Sequence, residues 1–310
     1  MFTKTKRYKE EQQLFDQIST HKWLYNFSIK LPYNQNPHRL HDHRCMHRQP
    51  LQMTSSYHCY PLSTRKVLAN YGYALTNCPK LGYGRYSKVC ETSKFDSSFG
   101  VFEEAGKVYL PMELAEKGDL LTFVQQNGAQ PESIAQSWMK QLISAVYYMH
   151  MRSVAHRDLK LENILLFADN SIKIADFGFC REAENGDLSR TFCGSKSYSA
   201  PEILLGQEYL PFKADIWSLG VVAFVLVTNR MPYNERVASN SIIVEAQRNR
   251  TYRYSKKLQL SQICQSTIDT MMTFDCHIRP DIEQVMNLPW FHLPIIPMEP
   301  KESGISCTTV

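Results

Sequence analysis

Residues 156–163 read HRDLKLEN, and thirteen residues after Asn163 comes Asp176-Phe177-Gly178. Ala200-Pro201-Glu202 follows, then Asp215-Ile216-Trp217-Ser218-Leu219-Gly220, and later Arg279. The carboxylate and amide oxygens of Asp158, Asn163 and Asp176 are the donors that a hard cation such as Mg²⁺ prefers. Lys160 adds a fixed positive charge beside them. Upstream, Gly82-Tyr83-Gly84-Arg85-Tyr86-Ser87-Lys88-Val89 fits G-x-G-x-x-G-x-V with serine at the third glycine, a turn suited to cradling phosphate. Taken singly, Asp158 reads equally well as a turn cap, and Asp176-Phe177-Gly178 as an ordinary loop. Their joint order and spacing set those readings aside.

The elements that must carry these residues are legible only in outline. A chain of 310 residues allows one large domain or two modest ones. YALTNCPKLG and SKVCET read as short strands flanking the glycine turn, and VFEE and KVYL as a hairpin around Ala105-Gly106. After Gly118 the pattern becomes helical: DLLTFVQQNG stops at Gly128. In SIAQSWMKQLISAVYYMH, the residues Ile134, Trp138, Leu142, Val146 and Met149 fall on one face. Short apolar runs at Ile164–Phe167 and Ile172–Ile174 precede an apolar helix after Asp215 and further helices to about Phe291. IWSLGVVAFVLV, residues 216–227, is too short an apolar run to span a bilayer and reads as a buried core helix.

Charge separates the first seventy residues from the rest. They hold 11 Lys/Arg against 4 Asp/Glu, whereas the whole chain has a net charge of +5. The remainder is therefore slightly acidic, which argues against a nucleic-acid-binding body. Residues 1–70 show no sustained period and are expected to form a disordered basic extension. Within them His38, His41, His43, His47 and Cys45 are conceivable metal ligands, but structural zinc sites have tighter paired spacing. The nine cysteines occur without a C-x-x-C pair, which suggests reduced thiols in a cytoplasmic or nuclear setting. No apolar leader opens the chain.

Taken together, these motifs resemble the eukaryotic protein kinase catalytic domain over roughly residues 74–292. VYLPMELAEKGDLL, HRDLKLENILL, DFGFC and LSRTFCGSKSYSAPEIL are most similar to the testis-specific serine/threonine kinase family, within the calcium/calmodulin-kinase-like group. The resemblance implies an α+β bilobal fold, with a small β-rich lobe over 71–112, a hinge at 113–116 and a mainly helical lobe over 117–292. A flexible tail, 293–310, would follow. It implies a role in spermatogenesis and transfer of the ATP γ-phosphate to Ser/Thr hydroxyls of protein substrates, with ATP and Mg²⁺ as cofactors. Asp158 would orient the substrate hydroxyl, Lys160 would sit near the transferred phosphoryl, and Asn163 and Asp176 would hold the metal. Leu81, Gly82, Gly84, Val89, Glu113, Ala115, Asp119 and Leu165 would contact the nucleotide. Thr191 would accept a regulatory phosphate bound by Arg157, with Ser189 and Ser195 as rival acceptors. Glu202 and Arg279 would form a buried ion pair, with Asp215 as a further structural residue. DLKLEN points to serine/threonine substrates, and Glu162 with Asp119 to basic residues upstream of the acceptor. Lys196 replaces the proline usual in the docking stretch. The terminal Thr308-Thr309-Val310 resembles a ligand of PDZ domains.

Only 22 residues lie between Val89 and Met112. The family fits there a strand carrying a phosphate-clamping lysine and a helix carrying its glutamate partner. With strands of about 5–6 residues and helices of about 10–14, the chain is roughly forty residues short. No V-A-I-K occurs, Lys88 and Lys94 are poor substitutes, and Pro111 stands where an aliphatic residue is usual. The expectation is weak or absent transfer activity. The alternative is a kinase-like binding scaffold, or a shortened product of an active-kinase gene.

Overall fold

The computed structural model describes residues 112–184 and 186–294, together with the backbone of six short strands between residues 73 and 109. The chain divides after Met112 into two compact units. The readings of the basic extension, the histidine patch and the PDZ-like terminus lie outside the described residues, as do Leu81 and Gly84.

All six elements described in the first unit are strands. β1 (Tyr73–Leu75) pairs antiparallel with β4 (Thr92–Lys94), and β2 (Gly82–Tyr83) with β3 (Lys88–Val89), so one ladder is nested inside the other. β5 (Phe102–Glu104) pairs with β6 (Lys107–Tyr109), with Glu104 opposite Lys107. The two strands expected of a hairpin thus pair in register, and the expected turn at Ala105-Gly106 lies outside the described residues. Seven residues, 95–101, separate β4 from β5. That is fewer than a typical helix of about 10–14 residues needs.

The second unit is mainly helical. Its helices are α1 (Leu120–Asn127), α2 (Glu132–His150), α3 (Pro201–Leu204), α4 (Pro211–Thr228), α5 (Asn240–Arg248), α6 (Gln262–Met271) and α7 (Ile282–Met286). Local sequence sets their ends. Ser261 caps α6 by accepting from the Cys264 N–H, and Asp281 with Gln284 forms a capping box on α7. Gly128, at φ 81°, closes α1 through a hydrogen bond from its N–H to the Val124 carbonyl.

The core forms around α4, whose apolar residues run round the whole helix. By length and composition α4 could cross a membrane, yet 83% of it is buried inside the fold. The sequence had shown only a twelve-residue run, because the first turn, Pro211–Asp215, adds polar residues to the same helix. α4 packs on α2 and α6, and α2 on α7. Gly220 marks the closest approach: a Cβ built there would lie 2.6 Å from Met272 Cγ and 3.0 Å from Met271 Cβ.

On α2 the buried face differs from the expected one at a single position. Trp138, Leu142, Val146 and Met149 are buried, but Ile134 is 41% exposed. Ala135, Met139 and Ile143 share the buried face instead. The stripe is broader than the large residues alone indicated, and in the first turn it is centred on the small Ala135.

Candidate functional site

Two short ladders frame the candidate residues. β8 (Ile164–Leu166) and β9 (Ile172–Ile174) form an antiparallel hairpin, and β7 (Val154–Ala155) pairs with β10 (Arg181–Glu182). HRDLKLEN leaves β7 and passes through a 3₁₀ turn at Leu161–Asn163 before entering β8. Asp176-Phe177-Gly178 leaves β9 toward β10. Both acid-bearing loops are therefore anchored at the same pair of ladders.

Asp158 is 4% exposed. Its Oδ1 accepts from the Ser195 N–H at 2.9 Å, and its Oδ2 accepts from Lys160 Nζ at 2.8 Å and Asn163 Nδ2 at 3.2 Å. Asn163 Nδ2 also donates to the Asp158 carbonyl at 2.9 Å. With its amino end turned to Asp158, the amide presents Oδ1 on its opposite side. Lys160 donates a second bond, to Ser195 Oγ at 2.9 Å. A buried carboxylate with these partners is fixed in direction, because releasing any one leaves charge or polarity unpaired in a desolvated place.

Asp176 is exposed and left-handed, at φ 60°, and its Oδ1 accepts from the Gly178 N–H at 3.2 Å. The preceding residue ties it to the first loop, since the Ala175 N–H donates to the Asn163 carbonyl at 2.8 Å. Asp158 and Asn163 are thus in direct contact, and Asp176 is held one residue from a backbone bond to Asn163.

Beneath this cluster lies Asp215, 1% exposed. It accepts from the backbone N–H groups of His156 and Arg157, both at 2.8 Å, and contacts His150 Nε2 at 2.9 Å. Arg157 adopts φ 64°, a conformation that costs about 1–3 kcal/mol for a non-glycine residue unless its surroundings enforce it. The two bonds from Asp215 supply that enforcement. His156 is fully buried. Its Nδ1 lies 3.3 Å from the Asp158 N–H, and its Nε2 lies 3.3 Å from the Ala175 carbonyl. Those partners define a neutral ring protonated on Nε2. Burial, outweighing the pull of Asp215 and other nearby acids, holds its pKa below the usual histidine value.

Gly194 completes the packing. It sits at φ 88°, and a Cβ there would come within 2.6 Å of the Arg157 carbonyl and 3.3 Å of Asp158 Oδ1. Only glycine lets the following residue, Ser195, bring its N–H to Asp158. Sequence reading treated Ser195 as a possible phosphate acceptor and missed this contact. The Gly-Ser pair within CGSKSYSAPE was the available signal.

The remaining candidates fall into separate groups. Asp119 caps α1: its Oδ1 accepts from the Thr122 N–H and its Oδ2 from Thr122 Oγ1, both at 2.8 Å. Sequence reading assigned Asp119 to the nucleotide and did not anticipate this cap. Glu113 pairs with Lys173 on β9, a contact that sequence reading did not anticipate. The Ala115 carbonyl accepts from the Gly118 N–H at 3.0 Å, and Leu165 is half-buried opposite Lys173. Gly82 and Val89 are paired across the β2–β3 ladder. Thr191 is exposed, whereas Ser189 is fully buried with its hydroxyl 3.4 Å from Arg157. Arg157 Nε donates to the Phe179 carbonyl at 2.7 Å.

Glu202 and Arg279 meet as expected from their motifs, with bonds of 2.7 and 3.0 Å to the two carboxylate oxygens. Asp275, Cys276 and His277 form a surface cluster beside this ion pair, with the Arg279 N–H donating to the Asp275 carbonyl at 3.0 Å. Burial pushes the Cys180 thiol up to about 12, which removes it as a nucleophile near neutral pH.

The protein kinase domain model matches residues 85–291. Testis-specific serine/threonine-protein kinase 1 of Mus musculus is 39% identical over 215 residues, which cover 67% of this chain and 56% of that protein. Testis-specific serine/threonine-protein kinase 2 of Mus musculus is 38% identical over 203 residues, covering 64% of this chain and 56% of that protein. Testis-specific serine/threonine-protein kinase 3 of Mus musculus is 39% identical over 187 residues, covering 60% and 68%. The chain therefore spans little more than half the length of the first two relatives. With the match extending over most of the second unit and its two acid-bearing loops, the chain belongs to the protein kinase domain family.

Proposed function

We propose that the chain is a protein serine/threonine kinase of reduced activity, using Mg·ATP and acting on Ser/Thr hydroxyls. The kinase domain is taken as residues 71–292. The observation that carries this reading is Asp158, a buried carboxylate aimed by Ser195, Lys160 and Asn163. A carboxylate so fixed can accept a hydrogen bond from a substrate hydroxyl and orient its lone pair for attack. Lys160 remains 18% exposed and holds positive charge beside the same oxygen. Asn163 Oδ1 and the exposed Asp176 carboxylate are a donor set that fits Mg²⁺. Bound there, the ion would neutralise charge on the nucleotide's phosphates.

On the second unit, Glu113, Ala115, Asp119 and Leu165 form the nucleotide-facing set. Asp119 retains acceptor capacity beyond the two bonds of its cap. The turn over Gly82–Val89 is the phosphate-facing part of the first unit. Thr191 is the favoured site of activating phosphorylation, because it is exposed while Ser189 is buried. Glu162 and Glu235 both bear electrostatically on the phenol of Tyr198, whose backbone N–H donates to the Ser195 carbonyl. That acidity supports a preference for basic residues near the acceptor. The relatives' names support serine/threonine specificity and a germ-cell role.

The rate is expected to be low. Removing a fixed positive group directed at developing charge costs about 10²–10³ in rate, and only seven residues separate β4 from β5, too few for the segment expected to carry that lysine. That same gap favours a second reading, a non-catalytic module that binds partners through its helical unit.

The test uses the full chain with Mg·ATP and a serine-containing peptide, with Asp158→Asn as control. Phosphate incorporation that exceeds the control supports the kinase. Equal incorporation removes the enzymatic reading and leaves the module.

A further inference from the structure

Resting on the nucleotide-binding part of that reading, we infer that Lys173 is a positioning residue for base recognition. It acts by fastening the segment 113–118 to the β8–β9 hairpin. Four ties converge on that segment, and all lie within the second unit. Lys173 Nζ pairs with the Glu113 carboxylate and also stands 4.6 Å from the Phe167 ring centroid. Glu116 Oε2 accepts from the Ala168 N–H at 3.0 Å. Lys117 Nζ donates to the Ala168 carbonyl at 3.1 Å and to Asn170 Oδ1 at 2.7 Å. Backbone bonds join Lys117 N–H to the Leu166 carbonyl and Leu166 N–H to the Gly118 carbonyl, at 3.2 and 2.9 Å.

This arrangement has a direction. Lys173 lies opposite Leu165 in the hairpin register, and Leu165 bridges Asp119. One hairpin thus carries the apolar residue expected beneath the base and, on the facing strand, the cation that fixes the segment expected to read the base edge. Glu116 and Lys117 grip the hairpin turn, whereas among the described residues Lys173 alone reaches the end of the segment at Glu113. Without that pair, the described residues fasten 113–115 only from their C-terminal side. A base read by backbone groups needs those groups held in register, so the loss should fall on base discrimination. Affinity for the phosphates should be spared.

The side chains of Lys173 and Glu113 are 24% and 35% exposed. The pair is therefore in the regime of modest surface ion pairs, and its removal should not unfold the unit. A pair worth about 1 kcal/mol corresponds to about a fivefold effect.

The experiment measures binding of Mg·ADP, Mg·GDP and Mg·tripolyphosphate to the full chain and to Lys173→Met, Lys173→Arg and the charge swap Glu113→Lys/Lys173→Glu. Amide hydrogen exchange over residues 112–118 is followed without nucleotide. The inference expects the unmodified chain to prefer adenine. In Lys173→Met that preference should fall about fivefold, with tripolyphosphate binding unchanged and exchange at 113–115 accelerated. Lys173→Arg should retain the preference, and the swap should recover part of it. If the unmodified chain prefers adenine and Lys173→Met keeps the full preference, the inference is overturned and the nucleotide reading stands. If the unmodified chain binds no adenine nucleotide, both fall together.

Discussion

Replacing Glu202 by glutamine should destabilise the second unit more than any single surface change. Arg279 has no side-chain exposure, and Glu202 retains 7%. All five guanidinium N–H groups are engaged. Two meet Glu202, Nε meets the Thr273 carbonyl at 2.9 Å, and the remaining pair meets Lys213 and Phe274 carbonyls at 2.9 and 3.2 Å. The guanidinium carbon also lies 5.1 Å from the Trp217 ring centroid. A glutamine keeps the shape and one acceptor, but it leaves a buried cation without its counter-charge, which costs about 3–5 kcal/mol. At about 2–4 °C per kcal/mol for a unit of this size, the melting temperature should fall by about 6–20 °C. Arg279→Met should cost at least as much, because it strands Glu202 and removes donors from three carbonyls as well. The pair Glu202→Leu with Arg279→Met should cost less than the two single changes summed, since neither charge is then left alone. Urea unfolding followed by far-ultraviolet circular dichroism measures all of these. A loss under about 1 kcal/mol for Glu202→Gln, or strict additivity in the double variant, would refute the reasoning.

Two further expectations follow from packing and burial. Gly220→Ala should destabilise by about 1–3 kcal/mol despite the better helix propensity of alanine, because its Cβ would press on Met271 and Met272. A neutral or stabilising result in the same urea assay would show that α4 and α6 can part freely. His156 has a folded pKa depressed below 6.5 by burial, so the unfolded chain binds its proton first as pH falls. Its full contribution is present above about pH 6.5 and is lost as the pH drops toward the lower folded value. Unfolding midpoints at pH 7.5 and 5.5 should therefore converge between the native chain and His156→Gln, and parallel values would contradict the neutral assignment.

What the sequence made legible was whatever motif spacing constrains across long distances. Glu202 and Arg279 lie 77 positions apart, yet each sits in a recognisable string, and they form the ion pair those strings imply. The same holds for Asp158 and Asn163, whose separation of five residues matches one turn around the buried carboxylate. Less legible were contacts that depend on backbone shape. Ser195 reaches Asp158 because Gly194 adopts a positive φ, and no side-chain pattern announces that. The Glu113–Lys173 pair was hidden for another reason, since charged residues at 60 positions' separation offer no period to read. Ile134 was misplaced because periodicity weighs large residues, and the small Ala135 holds the buried position in that turn.

The acid-bearing loops take all of their described supports from the second unit. Asp215 fixes the backbone at His156 and Arg157, Ser195 fixes Asp158, and the Ala175–Asn163 bond fixes the approach to Asp176. Every one of these groups lies beyond residue 112, on the core built around α4. A first unit short of a strand and a helix, as proposed, would leave these described hydrogen bonds within the second unit in place. The proposed cost falls on positive charge directed at the phosphates, a term in the rate. On this reasoning, supplying that charge from outside should raise the rate without changing the stability of the second unit. A dependence of both on the same added segment would show that the rate and the stability of the second unit are coupled.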